Sequence, residues 1–486
     1  MEKKISAPVK IISVILGTLV GGFMWRCRGE SGFGSSWGLY SVALVLLLLI
    51  WQIYGRKKGM KFEYIPIGAL LAGLGVTGYA TVIEQLSGTV WSDLPFAGGD
   101  PVYMPVDPKS GMAIILIMGF TLIPLFSFFT GTLFSEKEYK IKHFVIAIVL
   151  FFGVGYIMKA TLAHPIMKLI NPEQVNYAAL GLADAGYDYS SPFAAYMAHF
   201  GGRRWTQEIP FFENYYMSIE HISDFFGVIA LLLYALIGMK DKITFAFALV
   251  TNTFVSVATT ALSLLIAAPF ESGFLEGVPC LDVLKTGSGW GIWEFSTGAA
   301  VGFIITLIAA LLPAKYTAQT KPDRAPLIDG KIPAFVFDLA ACVFVFGVVP
   351  ARVIGIRFNK LIKYMGLTED GDTLGTVIII VLSVIFGLYM IKTLKRNVLD
   401  GMGMPFYYDP HRLSFIIFPA YLLMCAFAYF FLNHGYVQNL PYSEMTGLSQ
   451  AFGIMTGAEN IVTALMLLTF ALICIIYFPL RKKLKE

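Results

Sequence analysis

One carboxylate lies in an apolar run where a charge is costly. Glu294 stands near the start of the run 290–312, next to Trp290 and Trp293, with glycines before and after it. A carboxylate in such a run usually faces a helix-bundle interior or a water-filled cavity, where it binds a cation, a proton or a solute. The other interpretation is an interfacial residue in an aromatic belt, solvated by lipid headgroups.

A lysine occupies a comparable position elsewhere in the chain. Lys159 lies late in the apolar run 144–162. Its long stem allows the ammonium to snorkel to the headgroups. Alternatively it pairs with Glu294 or Glu84 inside a closed cavity. The sequence is compatible with both roles.

Two further groups of charges are candidates for solute binding. Arg203 and Arg204 precede a tryptophan and could clamp a phosphate or carboxylate, or pair with nearby glutamates in a folded cap. Arg26 and Arg28, with Glu30 nearby, follow a glycine-rich helix end in a short polar segment that can line a cavity, although a plain hairpin also fits. Asp338 lies about 8 Å inside a predicted span at 1.5 Å per residue.

Metal and cofactor chemistry is not indicated. The five cysteines contain no CxxC pair. Glu220 and Asp224 share a helix face beside His221, but a metal site would need another well-placed histidine. Acidic residues also suit a helix N-terminus. We therefore predict neither a metal nor a cofactor.

Composition places the chain in a membrane. Of its 486 residues 57% are hydrophobic and 14% are charged, whereas soluble domains have about 25% charged residues. The net charge of +4 does not indicate a nucleic-acid partner, because the basic residues fall in short loops. We predict an all-α, polytopic membrane protein with residues 1–486 as a single integral domain in the lipid bilayer.

About twelve runs approach the roughly 20 apolar residues that a spanning helix needs. The first and sixth are short. The predicted spans are 11–25, 38–54, 65–83, 112–134, 144–162, 222–239, 243–267, 290–312, 332–349, 374–391, 413–432 and 461–480.

The distribution of charge predicts the orientation. Most of the 36 lysines and arginines fall on one side of the predicted spans, in short loops and the termini. By the positive-inside rule that side is the cytoplasm, which places both termini there. The extracytoplasmic side carries the longer loops. Of these, 163–221, between spans 5 and 6, is too long for a simple connector and is interpreted as a loop or cap.

Three functions fit this organisation. The first is a secondary transporter, or permease, for a small polar or ionic solute, favoured by the intramembrane charges and by the absence of a P-loop from the sequence. The second is a membrane-embedded transferase or polymerase that acts on a lipid-linked, phosphate-carrier substrate at the extracytoplasmic face. The third is a non-catalytic assembly subunit. A non-enzyme in a bacterial cell membrane is the preferred interpretation.

Two cysteines also provide an expectation. Cys27 and Cys280 are the only cysteines placed outside the predicted spans on the extracytoplasmic side. A disulfide between them would tie span 1 to the loop after span 7 in an oxidising compartment. A lone buried cysteine, which behaves as a small apolar residue, is the alternative.

The threading makes a direct prediction for labelling. In a cysteine-free background, single cysteines introduced near Asp100, Ala194 and Gln438 should react with a membrane-impermeant maleimide from outside. Cysteines near Lys58 and Lys321 should react only after the membrane is opened. Labelling of the Lys321 site from outside would overturn the threading.

Overall fold

The computed structural model describes residues in several stretches along the chain. They are residues 5–30, 34–55, 64–74, 108–200, 209, 212–267, 288–317, 327–351, 377, 380–385, 387–389, 410–432 and 460–485. Regular structure in these stretches is helical throughout, with no strand. The predicted all-α class therefore holds for the described part of the chain.

The helices follow in chain order. The first five are α1 (Ala7–Glu30), α2 (Gly34–Ile50), α3 (Tyr64–Leu74), α4 (Pro108–Phe120) and α5 (Pro124–Phe134). The next five are α6 (Ile141–Thr161), α7 (Ala163–Ile170), α8 (Pro172–Asp184), α9 (Pro192–Ala198) and α10 (Phe212–Leu233). The last five are α11 (Lys242–Leu262), α12 (Ser288–Leu311), α13 (Lys331–Cys342), α14 (Pro410–Leu432) and α15 (Asn460–Lys485). A single four-residue turn of helix, Ala314–Thr317, lies between α12 and α13.

Several helices continue into a wider, π-type turn. These turns are Trp51–Gly55, Tyr234–Gly238, Ser263–Ala267 and Val343–Val348, which extend α2, α10, α11 and α13. A π turn shifts the register of the side chains that follow it.

Six helical segments among the described residues are long and apolar enough to cross a membrane. They are Ala7–Arg28, Ile141–Thr161, Asn214–Gly238, Lys242–Ile266, Gly291–Leu311 and Val462–Leu484. Shorter apolar helices overlap other predicted spans, among them Leu39–Tyr54 and Ser414–Phe427. The protein is thus a helical membrane protein, and the total of about twelve spans and the side of the termini stay predictions.

The two spans expected to be short are of full length. Helix α1 begins at Ala7 and ends at Glu30, and the segment containing α10 runs from Asn214 to Gly238. The predicted spans stop at charged residues because they are defined by hydrophobicity alone. The helices continue through Arg26 and Glu220 because each of these charges has an ion-pair partner on another helix.

The broken helix lies elsewhere. Run 112–134, predicted as one span, is interrupted by a break of three residues: α4 ends at Phe120 and α5 begins at Pro124. Pro124 has no backbone N–H to continue the helix and disfavours helical backbone in the residue before it. The break itself is buried, with Thr121 fully enclosed. Counted as one broken span, this pair is a seventh crossing segment.

The chain divides into two compact units. The first comprises Met1–Gly75, Leu125–His143 and Glu294–Glu486, and the second comprises Val76–Pro124 and Phe144–Trp293.

In the first unit, α1 and the part of α12 that belongs to it cross at glycines. A Cβ at Gly21 would lie 2.2 Å from the Gly298 carbonyl oxygen, and one at Gly302 would lie 2.0 Å from the Gly17 carbonyl oxygen. Each helix thus presents two glycines four residues apart, the small-residue pattern that lets helix backbones approach closely in a membrane. Since Gly17 meets Gly302 and Gly21 meets Gly298, the helices are antiparallel.

A second feature of the first unit is a buried hydrogen-bond junction. The Gln52 side chain donates to the Ser414 carbonyl oxygen at 3.0 Å and accepts from the Tyr477 hydroxyl at 3.2 Å. Gln52 lies in the π turn after α2, so this amide links that turn to α14 and α15. Such bonds contribute modestly between membrane helices, about 0.6 to 2 kcal/mol each.

In the second unit, helices α7–α9 form a folded layer over the first half of α10. Each of the two later helices has a local start signal in the sequence. Asn171 accepts a hydrogen bond from the Gln174 N–H before α8, and Ser191 accepts one from the Ala194 N–H before α9. A proline follows each cap at the first helical position, which is its preferred place.

The same layer encloses an aromatic core. Tyr196 of α9 and Tyr215 and Tyr216 of α10 are buried in it, together with aliphatic residues of α7 and α8. Because α10 begins at Phe212, residues 212–221 of the predicted loop 163–221 are helical. We call the helices α7–α9 the cap.

The Cys27 side chain is a reduced thiol, buried within α1. Its Sγ lies 3.8 Å from the Cys425 carbonyl oxygen of α14, to which it donates. The expected disulfide with Cys280 is therefore not formed. Cys280 itself lies outside the described residues.

The glycine crossing predicts a site-specific loss of stability. Gly302→Ala forces the α1 and α12 backbones apart, and overpacking of this kind costs about 1 to 3 kcal/mol. Gly153→Ala is the matched control, since its Cβ would meet nothing within 4 Å and the helix gains from alanine. Thermal unfolding in detergent should show a lower Tm for Gly302→Ala only. Equal melting of both variants would contradict the crossing.

Candidate functional site

Lys159 and Glu220 form an ion pair between α6 and α10. The Lys159 ammonium donates to Glu220 Oε2, and both side chains are largely buried. The ring of Tyr156, one turn earlier on α6, lies 5.0 Å from the ammonium. The predicted partnership of Lys159 with Glu294 is wrong, because Lys159 pairs with Glu220 and Glu294 pairs with Arg26. Glu84, the other partner considered, lies outside the described residues.

Glu220 has a second hydrogen-bond donor in the cap. The Tyr196 hydroxyl donates to Glu220 Oε1 at 2.6 Å, so both carboxylate oxygens are used. Burial raises the pKa of the Tyr196 phenol, and the negative charge of Glu220 raises it further. The phenol therefore stays protonated at physiological pH and remains a donor. This bond ties α9 of the cap to the charged face of α10.

Asp224 lies one helical turn after Glu220 on the same face of α10. Its side chain is buried, and both Lys159 and Glu220 act on it electrostatically. Gly155 of α6 lies opposite, where a Cβ would be 3.6 Å from Asp224 Oδ1. Lys159, Glu220, Tyr196 and Asp224 together are called the α6–α10 charge cluster.

The cap contains a second polar pair. His164 of α7 shares a hydrogen bond of 2.6 Å with the Tyr215 hydroxyl and stacks on Phe193, with ring centroids 5.0 Å apart. Burial lowers the pKa of His164, and the nearby Lys168 lowers it further. The imidazole is therefore neutral near pH 7 and can accept a proton from a hydroxyl.

Glu294 has its own partner in the first unit. Arg26 Nη1 donates to Glu294 Oε2 at 2.7 Å, one turn beyond the glycine crossing of α1 and α12. Arg26 is 2% exposed and Glu294 is 19% exposed. The Arg26 guanidinium thus holds the Glu294 carboxylate in place.

The remaining predicted residues are placed as follows. Arg28 of α1 stacks its guanidinium over the Trp25 ring, 5.1 Å from the centroid. Trp293 is buried in the second unit, where its indole N–H donates to Ser263 Oγ at 3.1 Å. Glu30, Trp290 and Asp338 lie on α1, α12 and α13, and the structure describes only their backbone. Arg203 and Arg204 are outside the described residues.

Metal-binding groups are not found in the described part of the chain. No group of three or more histidine, cysteine, aspartate or glutamate side chains could hold an ion there. Glu220, His221 and Asp224 are not arranged as such a group. Their carboxylates belong instead to a cluster with one lysine and one tyrosine.

Sequence reasoning missed the role of two residues. Arg26 directly follows the first predicted span, but its partner Glu294 is 268 positions away. Tyr196 was one of many aromatic residues in a long loop. The signal available for it was the Ser-Pro start at 191–192, which predicts a helix and so a fixed face for Tyr196.

Comparison with known proteins does not add a family. No family model matches the sequence, and no curated protein or solved structure is similar to it. The described residues define a helical membrane protein with paired charges in its crossing helices.

The Lys159–Glu220 pair should appear in a double-mutant cycle. Lys159→Met and Glu220→Gln should each destabilise the protein, and the double variant should recover about 0.5 to 3 kcal/mol relative to their sum. The exposed pair Lys140–Asp329, with atoms 2.5 Å apart, is the control and should give about 0 to 1 kcal/mol. The measurement is denaturant unfolding in mixed micelles. Additivity at Lys159 and Glu220 would contradict the pairing.

Proposed function

We propose that the protein is a secondary transporter for a small polar or ionic solute in a bacterial cell membrane. The observation that carries the proposal is the Arg26–Glu294 pair inside two helices of membrane-crossing length. Replacing a buried ion pair by apolar residues of similar volume is often neutral or stabilising. Stability alone therefore gives little reason for such a pair in a crossing helix, whereas a solute or ion pathway does.

The exposure of the pair supports a binding role. Arg26 is enclosed, whereas Glu294 keeps about a fifth of its side-chain surface accessible. An incoming cation or amino group can therefore reach the carboxylate, and an anion can compete with it for Arg26. Either event changes the contact between α1 and α12. That coupling between occupancy and helix contact is what an alternating-access mechanism uses.

The broken helix supports the same class. The break between α4 and α5 leaves backbone groups outside regular helical bonding at a buried position. Non-helical backbone at membrane depth is tolerated where it is buried in protein or lines a cavity. Discontinuous helices of this kind coordinate substrates and ions in many transporters.

The sequence supports a gradient as the energy source of the proposed transporter. The predicted cytoplasmic loops are short and the chain contains no P-loop, so a solute or ion gradient is the proposed driving force.

A membrane-embedded transferase for a lipid-linked substrate is the second candidate. The cap supports it, because the neutral His164 and the Tyr215 hydroxyl form a pair able to accept a proton from an attacking hydroxyl. Turnover of a polyprenyl-phosphate-linked sugar without solute movement would favour this candidate. If the protein shows neither turnover nor solute movement, the non-catalytic assembly subunit is favoured.

Reconstitution tests the transporter proposal. Purified protein in liposomes should give transient currents on a solid-supported membrane with at least one of a panel of amino acids, organic acids and inorganic ions. Glu294→Gln should weaken the response about 30-fold, since losing one partner of a buried charge pair costs about 2 kcal/mol or more in binding. Glu294→Asp, which keeps the charge, should lose less.

The control variant is Asp329→Asn, which removes an exposed charge of the same unit and should leave the current unchanged. Size-exclusion profiles and protein-to-lipid ratios must match among the variants. Full current from a well-folded Glu294→Gln would contradict the proposed role of Glu294. Absence of current for the whole panel would contradict the transporter class.

A further inference from the structure

Asp224 is a buried carboxylate without a donor. It is 8% exposed, and among the described residues it has no hydrogen-bond or ion-pair partner. Asp241 provides the contrast in the same unit. It is 3% exposed, and it accepts hydrogen bonds from the Ile243 N–H, the Thr244 N–H and the Thr244 hydroxyl. An ionised carboxylate is therefore stable at Asp241, where three donors bond to it, and costly at Asp224, where none does.

The charges around Asp224 do not balance. Helix α6 contributes Lys159, α10 itself contributes Glu220, and α9 contributes the Tyr196 phenol, which the Tyr216 phenol of α10 also influences. The single positive charge is bonded to Glu220, which also holds the Tyr196 hydroxyl. With both carboxylates ionised the cluster carries one net negative charge, located at Asp224.

A proton is the cation that fits this site. A hard divalent metal ion takes six or more oxygen ligands, and no metal-binding group of acidic or histidine side chains exists among the described residues. A proton needs one carboxylate oxygen. It also removes the cost of an unpartnered charge within a crossing helix.

We infer that Asp224 is a proton-binding site and that Lys159 couples its protonation to the contact between α6 and α10. In the protonated state an O–H bond forms at an Asp224 oxygen, and Lys159 stays with Glu220 as observed. On release the proton passes to water, and the new carboxylate competes with Glu220 for Lys159. The movement of one ammonium between two carboxylates is thus linked to one proton.

The coupling of this proton to solute movement rests on the proposed function, whereas the binding of the proton does not. If the protein is a transporter, Asp224 makes it proton-coupled. A solute gradient then drives a proton through the cluster, and a proton gradient drives the solute.

Infrared difference spectroscopy tests proton binding directly. The reconstituted protein is titrated, and the carbonyl stretch of a protonated carboxyl group is followed. The band should be present in the wild type and in Asp241→Asn, and absent in Asp224→Asn. Asparagine keeps the capping role at 241 and the side-chain size at 224. A band that is unchanged in Asp224→Asn overturns the inference.

Two further variants separate a proton site from a structural residue. Lys159→Met removes the positive charge, so the band should persist to higher pH. Glu220→Gln removes a like charge and leaves Lys159 available to Asp224, so the band should disappear at lower pH than in the wild type. If neither variant moves the titration, Lys159 does not couple to Asp224.

Vesicles loaded with a pH-sensitive dye separate this inference from the transporter proposal. With a solute identified in the current measurements, the wild type should take up protons and Asp224→Asn should not, while solute exchange between equal concentrations persists. Unchanged proton uptake by Asp224→Asn overturns the coupling. A wild type that moves no solute but shows the Asp224 band contradicts only the transporter proposal and supports the proton site.

Discussion

A charge inside a helix that crosses hydrocarbon must find a partner on another helix, and this constraint organises the structure. Without one, an ionised side chain costs several kcal/mol in the membrane interior. Arg26 meets Glu294 in the first unit, and Lys159 meets Glu220 in the second. Each pair joins residues that the predicted threading puts on the same side of the membrane, so the pairing selects which helices lie together.

Close packing makes such pairing possible in the first unit. The glycines of α1 and α12 bring the two backbones together over several turns, and the ion pair lies just beyond the last of them. In the second unit Gly227 does the same for α6 and α10, since a Cβ there would lie 2.5 Å from the Phe151 carbonyl oxygen. Small residues therefore set the distance, and the charges determine the partner.

The sequence could predict the helices but not their partners. Apolar runs located the crossing segments because that signal is local, and Pro124 carried a local signal for the break that a hydropathy reading passes over. The starts of α8 and α9 could likewise be predicted from the Asn-Pro and Ser-Pro pairs that precede them. The partner of Lys159 was not readable, because pairing over 61 positions depends on how α6 and α10 pack. Only the folded arrangement shows that Glu220 accepts hydrogen bonds from both Lys159 and Tyr196, and that Asp224 is left without a donor.

The most direct test of this pairing of charges between crossing helices is a charge exchange at Arg26 and Glu294. Arg26→Glu and Glu294→Arg each place two like charges in the α1–α12 contact, so each single variant should melt at a markedly lower temperature than the wild type. The double variant restores one positive and one negative charge at the same place. We predict that its Tm in detergent rises above that of both single variants. A double variant whose Tm is no higher than that of the less stable single variant would show that the two side chains are not partners.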